Sequence, residues 1–302
     1  MRNEVLYEKE TDTRKCVKYF EKHRSQMSQI DAVFVYFNKL DAILDDYYEI
    51  SYTSGFGEFK NLDNPLIVIK DVYGKEMWLG GCNCGYGGTG PHGTADILKY
   101  LVQEGTLPES KFTKDYIEKL IWNRKISIKR NEKGIWEVNT SQSSFDDIDS
   151  GASLYSFNDT LVLIQEPNYY KNESALKVIA AYKAFIPKPM NVKIFPTDEM
   201  AEDEGFVLIR NVGNIRKRIY NIIITDKSGR QIWLHSYFKD KNVINNPSIK
   251  SILESCGFLT DTKELSKDKA YPSLIKRILN WCQTTFNSEA EKPIIIENKN
   301  IL

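Results

Sequence analysis

Two cysteines and a histidine, Cys82, Cys84 and His92, fall within one short stretch, GGCNCGYGGTGPHG, residues 80–93. Seven of the chain's 17 glycines lie in the same stretch. A cysteine at a helix N-terminus has its thiolate favoured, and a nearby histidine can take the thiol proton. On that reading Cys84, or else Cys82, is the nucleophile of a hydrolase or transferase. His92 is then the base, and loop N–H groups hold the oxyanion. Cysteine and histidine also ligate metals, but structural zinc sites favour a wider cysteine spacing and need a fourth ligand. No second cysteine pair exists, and His235 would supply that ligand only by crossing domains, so no metal is expected. The plain alternative is that both cysteines are small buried residues, free cysteine being among the most buried types. His92 then makes a loop hydrogen bond.

The glycines point to binding. Each lets backbone N–H groups approach a ligand without a Cβ in the way, and successive N–H groups form an anion-binding concavity. The stretch also feeds a helix, with Thr94 as the expected N-cap and Asp96 in its first turn. The leading expectation is that an anionic small molecule, nucleotide-like in build, is held here. Its ligands are Gly81, Cys82, Gly85, Tyr86, Gly87, Gly88, Thr89, Gly90, His92 and Thr94. Gly85, Gly87 and Gly90 satisfy G-x-G-x-x-G as text. That fingerprint requires a βαβ unit, whereas here a second helix follows the first. There is no G-K-[ST] phosphate loop and no kinase catalytic element, and no cofactor is expected. A third class is a non-enzymatic interaction factor, of the bacterial immunity or defence-accessory type, whose loop contacts a protein partner.

The elements that must position this loop occur twice. NPLIVIKDVYGKEMWLGG (64–81) and YNIIITDKSGRQIWLHS (220–236) align Asp71, Gly74, Trp78 and Leu79 with Asp226, Gly229, Trp233 and Leu234. Each is a β-branched run, Asp-x-x-Gly, then a run ending in Trp-Leu: two antiparallel strands around a tight turn. Each is followed by an apolar-periodic helix ending at Gly, TADILKYLVQEG and PSIKSILESCG. A second helix ending in Trp comes next, FTKDYIEKLIW and YPSLIKRILNW, and then strand-like ISIKRNEKGIWEV and PIIIENKNIL. ISYTSGFGEF and FVLIRNVGNI are candidates for a matching earlier strand. The expectation is an α+β fold of two related halves, an internal duplication with antiparallel hairpins followed by helices. Residues 1–145 form the first domain and 146–302 a second, degenerate repeat without the glycine loop. The boundary is the Ser/Asp-rich VNTSQSSFDDIDSGAS. The leaders differ: helices through KCVKYFEKH and DAVFVYFNKLDAILDDYY begin the first copy, strand DTLVLIQ and helix ALKVIAAYKAFI the second. Because the loop belongs to one copy only, it reads as a grafted site rather than a requirement of the fold.

Bulk composition excludes several classes. The 302 residues carry 41 basic and 41 acidic side chains, so nothing advertises nucleic acid, and none is expected as a partner. The densest basic group, Arg210, Arg216, Lys217 and Arg218, reads as a charged strand edge. The first residues are charged and lack an apolar core, so no secretory signal is expected. No apolar window of membrane-spanning length occurs, so no membrane is expected. Five cysteines without a framework spacing read as free thiols in a reducing cytoplasm. The Lys, Asn and Ile bias is that of an AT-rich bacterial genome.

Overall fold

The computed structural model describes residues 4–51, 58–145, 151–166, 172–210, 216–236, 246–258 and 292–298. It is a mixed α+β architecture in two compact units. Unit 1 is Met1–Ile50 with Leu62–Asp146, and unit 2 is Ser51–Asn61 with Asp147–Leu302.

Unit 1 runs β1 (Val5–Glu8), α1 (Thr13–His23), β2 (Ile30–Tyr36), α2 (Lys39–Leu44), β3 (Glu49–Ile50), β4 (Leu62–Asp63), β5 (Ile67–Asp71), β6 (Glu76–Leu79), α3 (Thr89–Gln103), α4 (Lys114–Leu120), β7 (Lys125–Arg130) and β8 (Trp136–Ser141). Its main sheet has the order β1-β6-β5-β2-β7-β8. β1 is parallel to β6, and the other pairs are antiparallel. The β5–β6 turn forms as its residues dictate. The Asp71 carboxylate accepts the amides of Tyr73 and Lys75, both at 3.0 Å, and Gly74 takes a φ of 82°. Strand alternation sorts the core onto two faces. Val33, Val35, Ile67, Ile69, Met77 and Leu79 belong to the larger core, with Cys16 and Phe20 of α1 and Ile97, Leu98 and Leu101 of α3. Ala32, Phe34, Tyr36, Val68 and Trp78 form a second cluster with Tyr7 and Tyr47.

Two local expectations are corrected. DAVFVYFNKLDAILDDYY is not one helix: Ile30–Tyr36 is the buried central strand β2, and the helix is confined to Lys39–Leu44. A continuous apolar run lacks a diagnostic period, and its β-branched and aromatic content wins once strands flank it on both sides. Unit 1 also begins with a strand, β1, rather than a helix. Its four half-buried residues between charged neighbours carry little signal, and the pairing with β6 defines it.

Unit 2 runs β9 (Ala152–Phe157), β10 (Thr160–Gln165), α5 (Asn172–Ala181), β11 (Pro189–Ile194), α6 (Asp198–Asp203), β12 (Val207–Arg210), β13 (Arg216–Ile219), β14 (Ile222–Asp226), β15 (Gln231–Leu234), α7 (Pro247–Ser255) and β16 (Ile294–Glu297). The sheet order is β16-β11-β14-β15-β10-β9. Here β10 is parallel to β15, while β14–β15, β11–β14 and β11–β16 are antiparallel. The β14–β15 turn repeats the chemistry of the first, with Asp226 accepting from Ser228 and Arg230 and Gly229 at φ 84°. Both sheets carry a register shift at the same place, beside the pairs Ile30–Asp71 and Pro189–Asp226. Phe59 belongs to this unit. Its ring stacks on Phe157 at 4.5 Å and meets Trp233 edge-on at 5.5 Å, while Lys60 and Ser156 exchange backbone hydrogen bonds of 2.9 Å. The expected helix YPSLIKRILNW lies outside the described residues.

Candidate functional site

The chain leaves β6 at Leu79 and enters a loop that is largely buried. The amide of Gly81 donates to the sulfur of Cys16 at 2.9 Å, and the Thr13 hydroxyl donates to the carbonyl of Gly81 at 2.9 Å. A Cβ on Gly81 would lie 2.8 Å from the Asp12 carbonyl oxygen, and one on Gly93 would lie 2.3 Å from the Thr13 methyl. These glycines let the start of α1, capped by Asp12, seat directly on the loop.

The cysteines take part in this packing. Cys82 and Cys84 are both fully buried. The Cys84 thiol donates to the carbonyl of Arg124 at 3.3 Å. Burial, with a smaller contribution from the Asp41 charge, pushes that thiol well above its ordinary range. Contact with Cys16 and burial push Cys82 the same way. Thiols held like this are protonated at neutral pH and poorly nucleophilic. His92 is exposed, and among the described residues no hydrogen bond joins its ring to either thiol.

The following helix starts six residues earlier than its sequence predicts, at Thr89 rather than after Thr94, with Gly88 as an N-cap that has no side-chain bond. Pro91 is the reason this is tolerated: in the first turn its missing N–H is one of those that would lack a helical partner anyway. Thr94 is therefore inside α3, 1% exposed, and its hydroxyl donates to the carbonyl of Asn83 at 2.5 Å. The expected ligand set is thus divided. Gly81, Cys82, Gly90 and Thr94 are buried; Gly85 and Gly88 are half-buried; Tyr86, Gly87, Thr89 and His92 are at the surface.

Three residues that the sequence reading passed over complete this surface. Trp122, just past α4, is 61% exposed, and its ring lies 3.1 Å from where a Gly87 Cβ would stand. The Arg124 guanidinium lies over the Phe37 ring, 4.6 Å from its centroid, and Phe37 meets Tyr86 edge-on at 6.1 Å. The Gly85 amide donates to the carbonyl of Ile121 at 2.7 Å and ties the loop to the end of α4. Trp122 was detectable: Ile117, Leu120 and Ile121 form the buried stripe of α4, and Trp122 falls off it. The surface offers two aromatic rings, a guanidinium and the first amides of α3 at Gly88 and Thr89. The initial amides of a helix have no intrahelical acceptor and carry the positive dipole end. Among the described residues no three His, Cys, Asp or Glu side chains are grouped to hold a metal ion, and no helix is long and apolar enough to cross a membrane. The chain matches no protein-family description, no curated protein and no solved structure.

Proposed function

We propose that this is a binding protein whose unit 1 takes up an anionic, ring-bearing small molecule, nucleotide-like in build, at the outer rim of the glycine-rich loop. The observation that carries this reading is Trp122: a large aromatic ring 61% exposed against Gly87, next to Tyr86 and the start of α3. The ligand's ring stacks on Trp122 and Tyr86, and its anionic group meets the Gly88 and Thr89 amides and Arg124. The test is native mass spectrometry of the purified chain, followed by titration with adenosine monophosphate as probe. A co-purifying anion, or saturable binding lost in Trp122→Ala, supports the reading; a clean apo mass and no saturable binding removes it.

A second reading is favoured by the same surface. Tyr, Trp and Arg are the residues that dominate protein–protein hot spots, so a protein partner of a non-enzymatic interaction factor is the alternative occupant. The Cys/His hydrolase or transferase reading has the least support, because Cys84 is buried with its thiol raised while His92 faces solvent.

We further propose that the two units descend from an internal duplication. The run β1–α1–β2–α2–β3–β4–β5–β6–α3–β7 has its counterpart in β10–α5–β11–α6–β12–β13–β14–β15–α7–β16, with the same strand neighbours and directions in the main sheets. We place the protein in a reducing cytoplasm, on the strength of the free thiols Cys16, Cys82, Cys84 and Cys256.

A further inference from the structure

A second site lies in unit 1 on the sheet face of Trp78, away from α1 and α3. A cavity of about 300 Å³ opens there, with Tyr47, Tyr48 and Trp78 among its lining residues. Asp45, Asp46, Glu49 and Glu76 also line it, against one ammonium, that of Lys70. Glu76 is anchored: one carboxylate oxygen accepts the indole N–H of Trp78 at 2.7 Å, and the other holds Lys70 Nζ at 2.8 Å. Lys70 Nζ also stands 5.7 Å from the Tyr47 ring centroid. Asp45 is paired with Lys125 and Glu49 with Lys9. Asp46 is left as net negative charge, on a backbone held at φ 64°.

The matching register of unit 2 is built differently. Lys70 faces Glu76 across β5–β6; at the same register of β14–β15, Thr225 faces Gln231. The indole of Trp233 donates to Gln231 at 2.8 Å, as Trp78 does to Glu76. Both indoles are buried: Trp233 under Phe59, Phe157 and Phe206 at ring distances of 5.5, 5.3 and 5.0 Å, and Trp78 against Tyr7 and Tyr47 at 5.3 and 6.1 Å. A lysine–glutamate pair thus holds the register in unit 1 that a threonine–glutamine pair holds in unit 2. The fold therefore does not require the charges.

We propose that the Trp78 cavity binds an organic cation, an alkylammonium or guanidinium group. Aromatic π faces attract such a cation, and Asp46 supplies the countercharge. Lys70 is the built-in precedent, an ammonium already held between a ring and a carboxylate. The group arrives either on a free small amine or as a lysine or arginine side chain of a protein.

The test is calorimetric titration of the full chain with spermidine, with ethylguanidinium and with an arginine-containing peptide, at two salt concentrations. Asp46→Asn keeps the left-handed backbone, which Asn tolerates, and removes the free charge. It is expected to weaken binding about threefold, the scale of a partly exposed ion pair. Lys70→Met removes the competing ammonium and is expected to tighten binding by a similar factor. Saturable binding of the free amines with these opposed effects identifies a small-molecule site, and binding of the peptide alone identifies a side chain of a partner. Binding of none of the three probes, or binding indifferent to both substitutions, overturns the proposal. Trp122→Ala is expected to leave cation binding unchanged, which separates this site from the anion surface.

Discussion

The sulfur of Cys16 accepts the amide of Gly81 at 2.9 Å, joining the first helix to the loop that follows β6. The contact is possible because Gly81 has no Cβ; one would stand 2.8 Å from both the Cys16 sulfur and the Asp12 carbonyl oxygen. Gly81→Ala is expected to destabilise the fold by about 1–3 kcal/mol, the range for overpacking a tight site. Urea midpoints measure it. Gly87→Ala, which meets only the exposed ring of Trp122, is expected to shift the midpoint much less.

Trp122 gives the opposite pattern. Trp122→Ala is expected to change stability by no more than about 0.5 kcal/mol, because most of the ring is already in water. It is also expected to abolish adenosine monophosphate binding. A large loss of stability in this variant would place the ring in the core and remove it from the ligand surface.

The thiols of Cys82 and Cys84 are expected to resist a disulfide reagent at pH 8 in the native chain and to react at once in urea, since both are buried and raised. Cys84→Ser is expected to leave ligand binding intact. Rapid native labelling of Cys84 together with loss of a hydrolytic activity in Cys84→Ser would restore the catalytic reading.

Stability is expected to fall at alkaline pH, and the direction follows from the thiols. Burial pushes Cys256 from its ordinary 9.0 to about 12. The unfolded chain therefore loses this proton first as pH rises. Stability from the protonated form is complete below pH 9 and is lost progressively between 9 and about 12. Urea midpoints measured upward from pH 8 should decline, and the decline should be shallower in Cys256→Ala.

Phe59 ties a segment from the first half of the sequence into unit 2, where it is 3% exposed. Phe59→Ala is expected to cost about 3–5 kcal/mol, as for other large-to-small core changes. A fragment starting at residue 146 lacks this ring, so it is expected to leave one side of Trp233 less covered and give a red-shifted tryptophan emission. Equal stability of the fragment with and without an added peptide of residues 51–61 would contradict this role.

The sequence by itself determined the two hairpins. Asp71 with Gly74 and Asp226 with Gly229 specify their turns through local hydrogen bonds and a left-handed glycine, and neither needs distant residues. It also placed α1 and α7, whose caps and periodicities are local. Tertiary structure decided what depends on neighbours far along the chain. Residues 30–36 became a strand because β5 and β7 flank them on both sides. β1 exists because β6 offers it a parallel edge. The glycine-rich loop has the composition of a ligand cradle, but composition does not say which backbone approaches which. Half of it turned inward, where α1 seats on Gly81 and Gly93 and the thiols of Cys82 and Cys84 are closed off from water. What remained outside was gathered from three separate segments, Phe37, Tyr86 with Thr89, and Trp122 with Arg124. Only the folded chain brings those side chains within reach of one another.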